Sequence, residues 1–129
     1  MAQRPSVDEW LEEARREESA GRIGMYLLHN GTVRETPKAD VRGSEVTGRT
    51  VTGMKFSYDR EKVSRFVEKT KQLEGIYLVK LWLNEGLLGV GDDIMLVLIG
   101  GDIRPRVIDA LNYLVGSIKS ECVTEEELY

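Results

Sequence analysis

From Thr50 the chain alternates apolar and polar positions, with Met54, Phe56 and Tyr58 on one side and Lys55 and Ser57 on the other, the two-residue period of a half-buried strand. The period then changes. Asp59 is placed as a helix N-cap, Val63, Phe66, Val67 and Leu73 fall on one helical stripe, Tyr58 can staple onto Val63, and Gly75 stops the helix. Residues 76–83 and 93–99 are nearly continuous apolar runs, which predicts two strands central in a sheet, joined by a connection punctuated by Gly86, Gly89 and Gly91. After Gly100 and Gly101, Pro105 suits a first helical turn, and Val107, Ile108, Leu111, Leu114, Val115 and Ile118 recur at helical spacing. Nearer the N-terminus, Ser6 and Glu9 form a capping box for a short peripheral helix carrying Trp10, Leu11 and Ala14 and ending near Gly21. Residues 25–33 read as a strand. Residues 35–45, with Pro37, Gly43 and no apolar periodicity, read as a mobile loop.

This order, without repeats or low-complexity tracts, predicts an α+β fold in which two main helices cover one face of a mostly antiparallel sheet, with a ferredoxin-like sandwich as the nearest alternative. The 129 residues, 41% hydrophobic and 31% charged, fit a single domain spanning residues 1–129. Charge narrows the function: Lys+Arg 18 against Asp+Glu 22 gives a net charge of -4, which argues against a nucleic-acid partner. One cysteine, Cys122, and one histidine, His29, allow no internal disulfide framework and too few ligands for a zinc site, so neither a metal nor a cofactor is expected. The apolar run of residues 94–99 is far short of a membrane span and residues 1–20 are charged rather than signal-like, so no membrane association and a cytoplasmic location are expected.

No nucleophile elbow, P-loop, dinucleotide fingerprint or HExxH motif is present. His29, beside Leu28 in an apolar strand, reads as a packed, hydrogen-bonded histidine without a role in chemistry. Cys122, among Glu121 and residues 125–127, reads as an inert thiol, because surrounding carboxylates disfavour a thiolate. What stands out in an acidic chain is a set of cations at element ends: Arg34 after the first strand, Lys38 and Arg42 in the loop, Arg104 and Arg106 opening the last helix, and Lys119 closing it. A helix start offers free N–H groups and a positive dipole end, so Arg104 and Arg106 there would strengthen an anion site. Taken singly, each of these residues also fits an ordinary solvated helix or strand end.

Three segments change that balance. Asn30-Gly31-Thr32-Val33-Arg34, the connection Gly86-Leu87-Leu88-Gly89-Val90-Gly91-Asp92, and Arg104 with Lys119 fifteen residues later occur in an order and spacing, over residues 24–119, that resembles the large subunit of molybdopterin synthase. The resemblance implies an α/β hammerhead fold, a homodimer, and a ubiquitin-like small subunit whose Gly-Gly C-terminus carries a thiocarboxylate. It also implies an activity, sulfur transfer from that tail to cyclic pyranopterin monophosphate in molybdenum cofactor biosynthesis, and two classes of site residue. Lys119 matches the first catalytic lysine. Arg34 and Arg104 match substrate-binding arginines, and Arg106 lies beside Arg104 as a third anion ligand. Lys119 is therefore expected to face a pocket, and Arg34, Arg104 and Arg106 to converge on one pterin phosphate.

The chain also departs from the family pattern. Glu126 stands in the place of a second lysine by ungapped alignment, Ile103 in the place of a histidine, and an acidic residue usual in the strand before Tyr58 is absent. These departures support an alternative, a non-catalytic paralogue that binds a ubiquitin-like tail or a small anion. Residues 121–129 are expected to project into solvent, because burying several carboxylates demands several cations. An apolar sheet surface is expected to drive dimerisation, unless the N-terminal helix with Trp10 and Leu11 covers it.

Overall fold

The computed structural model describes residues 3–43 and 48–129. Strands β1 (Met25–Thr32), β3 (Ile76–Leu83) and β5 (Asp93–Gly101) make one antiparallel sheet in the order β1-β5-β3. Strands β2 (Gly53–Tyr58), β4 (Gly86–Gly89) and β6 (Val123–Leu128) make a second antiparallel sheet in the order β4-β2-β6. The α+β, antiparallel architecture matches expectation, with the strands divided between two sheets rather than one. Part of the glycine-punctuated connection is itself strand β4, paired through Leu88 with Met54.

Only β5 is central. Its odd positions Met95, Val97 and Ile99 pack in the main core with Val107, Ala110 and Leu114 of helix α4 (Arg104–Ser117) and Val63 of helix α3 (Arg60–Lys71). On the opposite face, Leu98 and Leu78 pack with Ala14 and Trp10 of helix α1 (Val7–Arg16). The expectation that β3 is also central is corrected: it is an edge strand, and it is apolar because both of its faces are covered. Likewise α1 lies on the sheet's back face, which removes the surplus apolar sheet as a reason for self-association.

The helix starts follow their capping residues. Ser6 Oγ accepts the Glu9 N–H at 3.3 Å, and Asp59 Oδ1 accepts the Lys62 N–H at 3.1 Å. Leu73 falls beyond the end of α3 and is exposed, so it drops out of the predicted stripe. Gly75 turns the chain there at φ 79, and a Cβ on it would collide with Asp102 Oδ1, so both the conformation and the packing demand glycine.

Two expectations about irregular segments are overturned. Residues 38–41 of the supposed loop form a short helix, α2 (Lys38–Val41), preceded by buried Pro37 and followed at a distance by Val51, whose N–H donates to Glu35 O at 2.7 Å. Glu45, at the end of that loop, lies outside the described residues. The acidic end does not project into solvent: after a wide helical turn (Ile118–Cys122) it becomes β6, antiparallel to β2 in the register Phe56 to Glu125 and Met54 to Glu127. Among the described residues no helix is long and apolar enough to cross a membrane.

Candidate functional site

The two sheets and the end of α4 meet at a cleft of about 370 Å³. Ile118, fully buried, anchors the turn after α4 and leaves Lys119 as the next side chain, on the cleft wall. The end of β1 brings Arg34 and Thr32 to the same cleft, α2 brings Lys38 and Arg42, and Met54 and Ile94 form its apolar floor. A second cleft of about 320 Å³ shares Thr32, Arg34, Ile94 and Lys119 with the first and adds His29. Lys119 thus faces a pocket, as expected, with 43% of its side chain exposed.

Carboxylates complete the wall. Residues opposite one another in an antiparallel pair share a face, so Glu125, across from Phe56, and Glu127, across from Met54, lie on the inward side of β6. The Glu125 carboxylate sits between two ammonium groups, 3.8 Å from Lys119 Nζ and 3.9 Å from Lys38 Nζ. Glu127 Oε2 accepts the backbone N–H of Lys38 at 3.0 Å, and Tyr129 Oη donates to Glu127 Oε1 at 3.3 Å. Glu126 points the other way: it is exposed and opposite Lys55 on the outer face of the sheet. Its negative charge therefore does not stand in the cleft, contrary to what the ungapped alignment implied.

Arg104 and Arg106 do not join Arg34 and Lys119 within one chain. Arg104 begins α4 and Lys119 follows its end, so about 20 Å of helix separates them. Arg104 is exposed and makes no ion pair among the described residues. Arg106 is already matched, at 2.7 Å by Asp102 Oδ2 and at 3.4 Å by Glu74. Asp102 Oδ1 also accepts the Ile103 N–H at 2.7 Å, so the chain's own carboxylate stands at the start of α4 beside Arg106 and disfavours a second anion there.

Two titratable groups sharpen the picture. Burial, and then the positive charge of Lys119, hold the His29 imidazole below its ordinary value of 6.5, so it is neutral at physiological pH. No hydrogen bond satisfies it among the described residues, which corrects the reading of a hydrogen-bonded core histidine and places it beside the site. Burial and then Glu121 push the buried Cys122 thiol up, which agrees with an inert cysteine. Lys38, Arg42, His29, Glu125 and Glu127 are the site residues that sequence reasoning did not assign. For Glu125 and Glu127 a signal was available, since residues 123–128 alternate as a strand does.

Comparison with known proteins agrees with this architecture. The sequence profile described as MoaE protein matches residues 2–121. A search of curated protein sequences returns no match. Among solved structures, molybdopterin synthase from Staphylococcus aureus superposes with a TM-score of 0.73 at 18% identity, covering 97% of this chain and 86% of that one. A molybdopterin biosynthesis MoaE protein from Burkholderia ambifaria gives 0.72 at 15% identity, with coverage of 98% and 81%. A chain from the complex of subunits 1 and 2 of the molybdopterin-converting factor of Helicobacter pylori gives 0.65 at 17% identity, with coverage of 96% and 79%. With the profile matched over nearly the whole length and the same fold in three such structures, the chain belongs to the MoaE protein family.

Proposed function

We propose that this chain is the large subunit of a molybdopterin synthase, acting in the cytoplasm to move sulfur from a thiocarboxylated ubiquitin-like small subunit onto cyclic pyranopterin monophosphate. The observation that carries this reading is that Arg34 and Lys119, two residues matched to the family's site, share one cleft although 85 positions separate them in sequence. Family membership and a similar solved structure, a complex of subunits 1 and 2 of the molybdopterin-converting factor, support the small-subunit partner. The chemistry suits the residues present. As the tail's sulfur forms a C–S bond to the pterin side chain it displaces an oxygen substituent there, and water then cleaves the acyl C–S bond, leaving the sulfur on the pterin and a carboxylate on the tail, so negative charge builds at the displaced oxygen and at the acyl oxygens. A fixed ammonium such as that of Lys119 lowers the energy of that charge in a partly desolvated cleft. Arg34 holds the substrate phosphate, a role that a guanidinium fork fits well.

Arg104 enters this reading only through a second copy. Within one chain the length of α4 keeps it from Lys119, so a homodimer that sets Arg104 of one protomer at the other's cleft is the arrangement that lets both residues act on one substrate. Arg106, matched by Asp102 and Glu74, is left out of substrate binding. The competing reading, a non-catalytic module, draws on the two carboxylates among the cleft cations. Binding separates function from mere fold: a ubiquitin-like protein ending in Gly-Gly from the same genome should form a complex with this chain and lose it when the two glycines are deleted. Absence of a complex, or one indifferent to the glycines, overturns the synthase reading.

A further inference from the structure

The resemblance implies two lysines at the sulfur-transfer centre, and Glu126, which stands in the second one's place, faces away from the cleft. We propose that Lys38 supplies the second cation, and that Lys38 and Lys119 together hold the acyl terminus of the donor tail at the position now held by the Glu125 carboxylate. The nature of the tail rests on the synthase reading; the lysine pair as a carboxylate site does not.

Glu125 shows what that position accepts. Its side chain is only 15% exposed, on the core-facing side of β6 opposite Phe56, where an unmatched carboxylate would be strongly disfavoured. Each of its oxygens faces a different ammonium, Oε1 toward Lys119 and Oε2 toward Lys38. A thiocarboxylate has the same two-atom terminus. A Gly-Gly tail has no side chains, so two cations reading its two terminal atoms give both affinity and orientation. The contacts of 3.8 and 3.9 Å are longer than hydrogen bonds, so neither ammonium uses a donor on Glu125 and both keep donors for a second anion.

Lys38 is also positioned independently of its own side chain. Its backbone N–H donates to Glu127 Oε2, which fixes the start of α2 against β6. Arg34 and Arg42 make no ion pair among the described residues and stay available for a phosphate in the same cleft. The four cations against Glu125 and Glu127 leave the cleft positive with both carboxylates in place.

The test uses the full chain and its Lys38→Gln, Lys38→Arg and Glu125→Gln variants, with two probes: a peptide ending in Gly-Gly with a free carboxylate, and N-acetylglycine. Lys38→Gln keeps the backbone N–H and hence the α2 contact. Peptide affinity should fall roughly tenfold in Lys38→Gln, recover in Lys38→Arg, and rise by a similar factor in Glu125→Gln, where a competing carboxylate is neutralised. A C-terminally amidated peptide should not distinguish these variants. Independently, ¹³C-methylated lysine signals of both Lys38 and Lys119 should shift when N-acetylglycine is added to Glu125→Gln. If no variant binds peptide but both lysine signals still move, the synthase reading fails while the lysine pair stands. Wild-type affinity in Lys38→Gln, or a Lys38 signal that N-acetylglycine leaves unmoved in Glu125→Gln, overturns the proposal.

Discussion

Lys119 contributes a charge at the cleft rather than packing in the core, and that separation makes it testable. Lys119→Ala should lower sulfur transfer by about 100-fold or more, the scale for removing a group that stabilises developing charge. Its unfolding free energy should fall by no more than about 1 kcal/mol, since the lysine is half-exposed and Glu125 keeps Lys38 as a partner. Urea unfolding and single-turnover assays read the two quantities. His29 supplies a pH prediction whose sign follows from its lowered value. As pH falls below 6.5 the unfolded chain takes up the proton first, so this group's part of the stability is present above 6.5 and is lost on the way down to the folded-state value. Wild type should therefore lose more stability than His29→Gln between neutral pH and about pH 5, by urea midpoints; equal losses would mean that His29 does not titrate as described. Sequence reasoning reached Arg34 and Lys119 because motif spacing fixes them. It did not assign Lys38 and His29, because their roles depend on how α2 and β1 are set against α4, which no local pattern encodes.

At the scale of elements, β6 separates the account from a solvated acidic tail. It forms an edge of the second sheet, and Thr52 N–H donates to Leu128 O at 2.8 Å. Deleting residues 124–129 should cost roughly 2 kcal/mol or more in urea unfolding, whereas a tail in water would cost nothing measurable. The Gly75 turn offers a second test. Gly75→Ala places a Cβ against Asp102 at a positive φ and should destabilise by about 1–3 kcal/mol in the same experiment, with no loss of tail binding because the turn lies outside the cleft. Helices α1, α3 and α4 and strands β1, β2, β3 and β5 were legible from periodicity and caps, with boundaries close to those observed, whereas α2, β4 and β6 were not. Two misreadings share one cause. An apolar run reports that both faces of a strand are covered and says nothing of its edges, so β3 read as central. A run of glutamates reads as a solvated end until the cations that match it are brought alongside by the fold, which here come from α2 and the end of α4.

For the whole molecule, the antiparallel α+β architecture was legible because the order of strands and helices permits few ways to cover an antiparallel sheet, though not its division into two sheets, and its family because three motifs keep their spacing. The assembly was not, since the apolar surface invoked for it lies beneath α1. If a homodimer builds the site, mixing Arg104→Ala with Lys119→Ala should restore up to about a quarter of wild-type activity, the share of clefts that receive both intact residues in a random mixture. No recovery would place Arg104 outside the site. The central claim, that the Arg34 and Lys119 cleft carries sulfur transfer, is tested most directly by a single-turnover reaction of this chain with a thiocarboxylated Gly-Gly small subunit and cyclic pyranopterin monophosphate. The account predicts a dithiolene product from wild type and its near-complete loss in Lys119→Ala with the small subunit still bound; no product from wild type with a competent small subunit, or equal product from the variant, would contradict it.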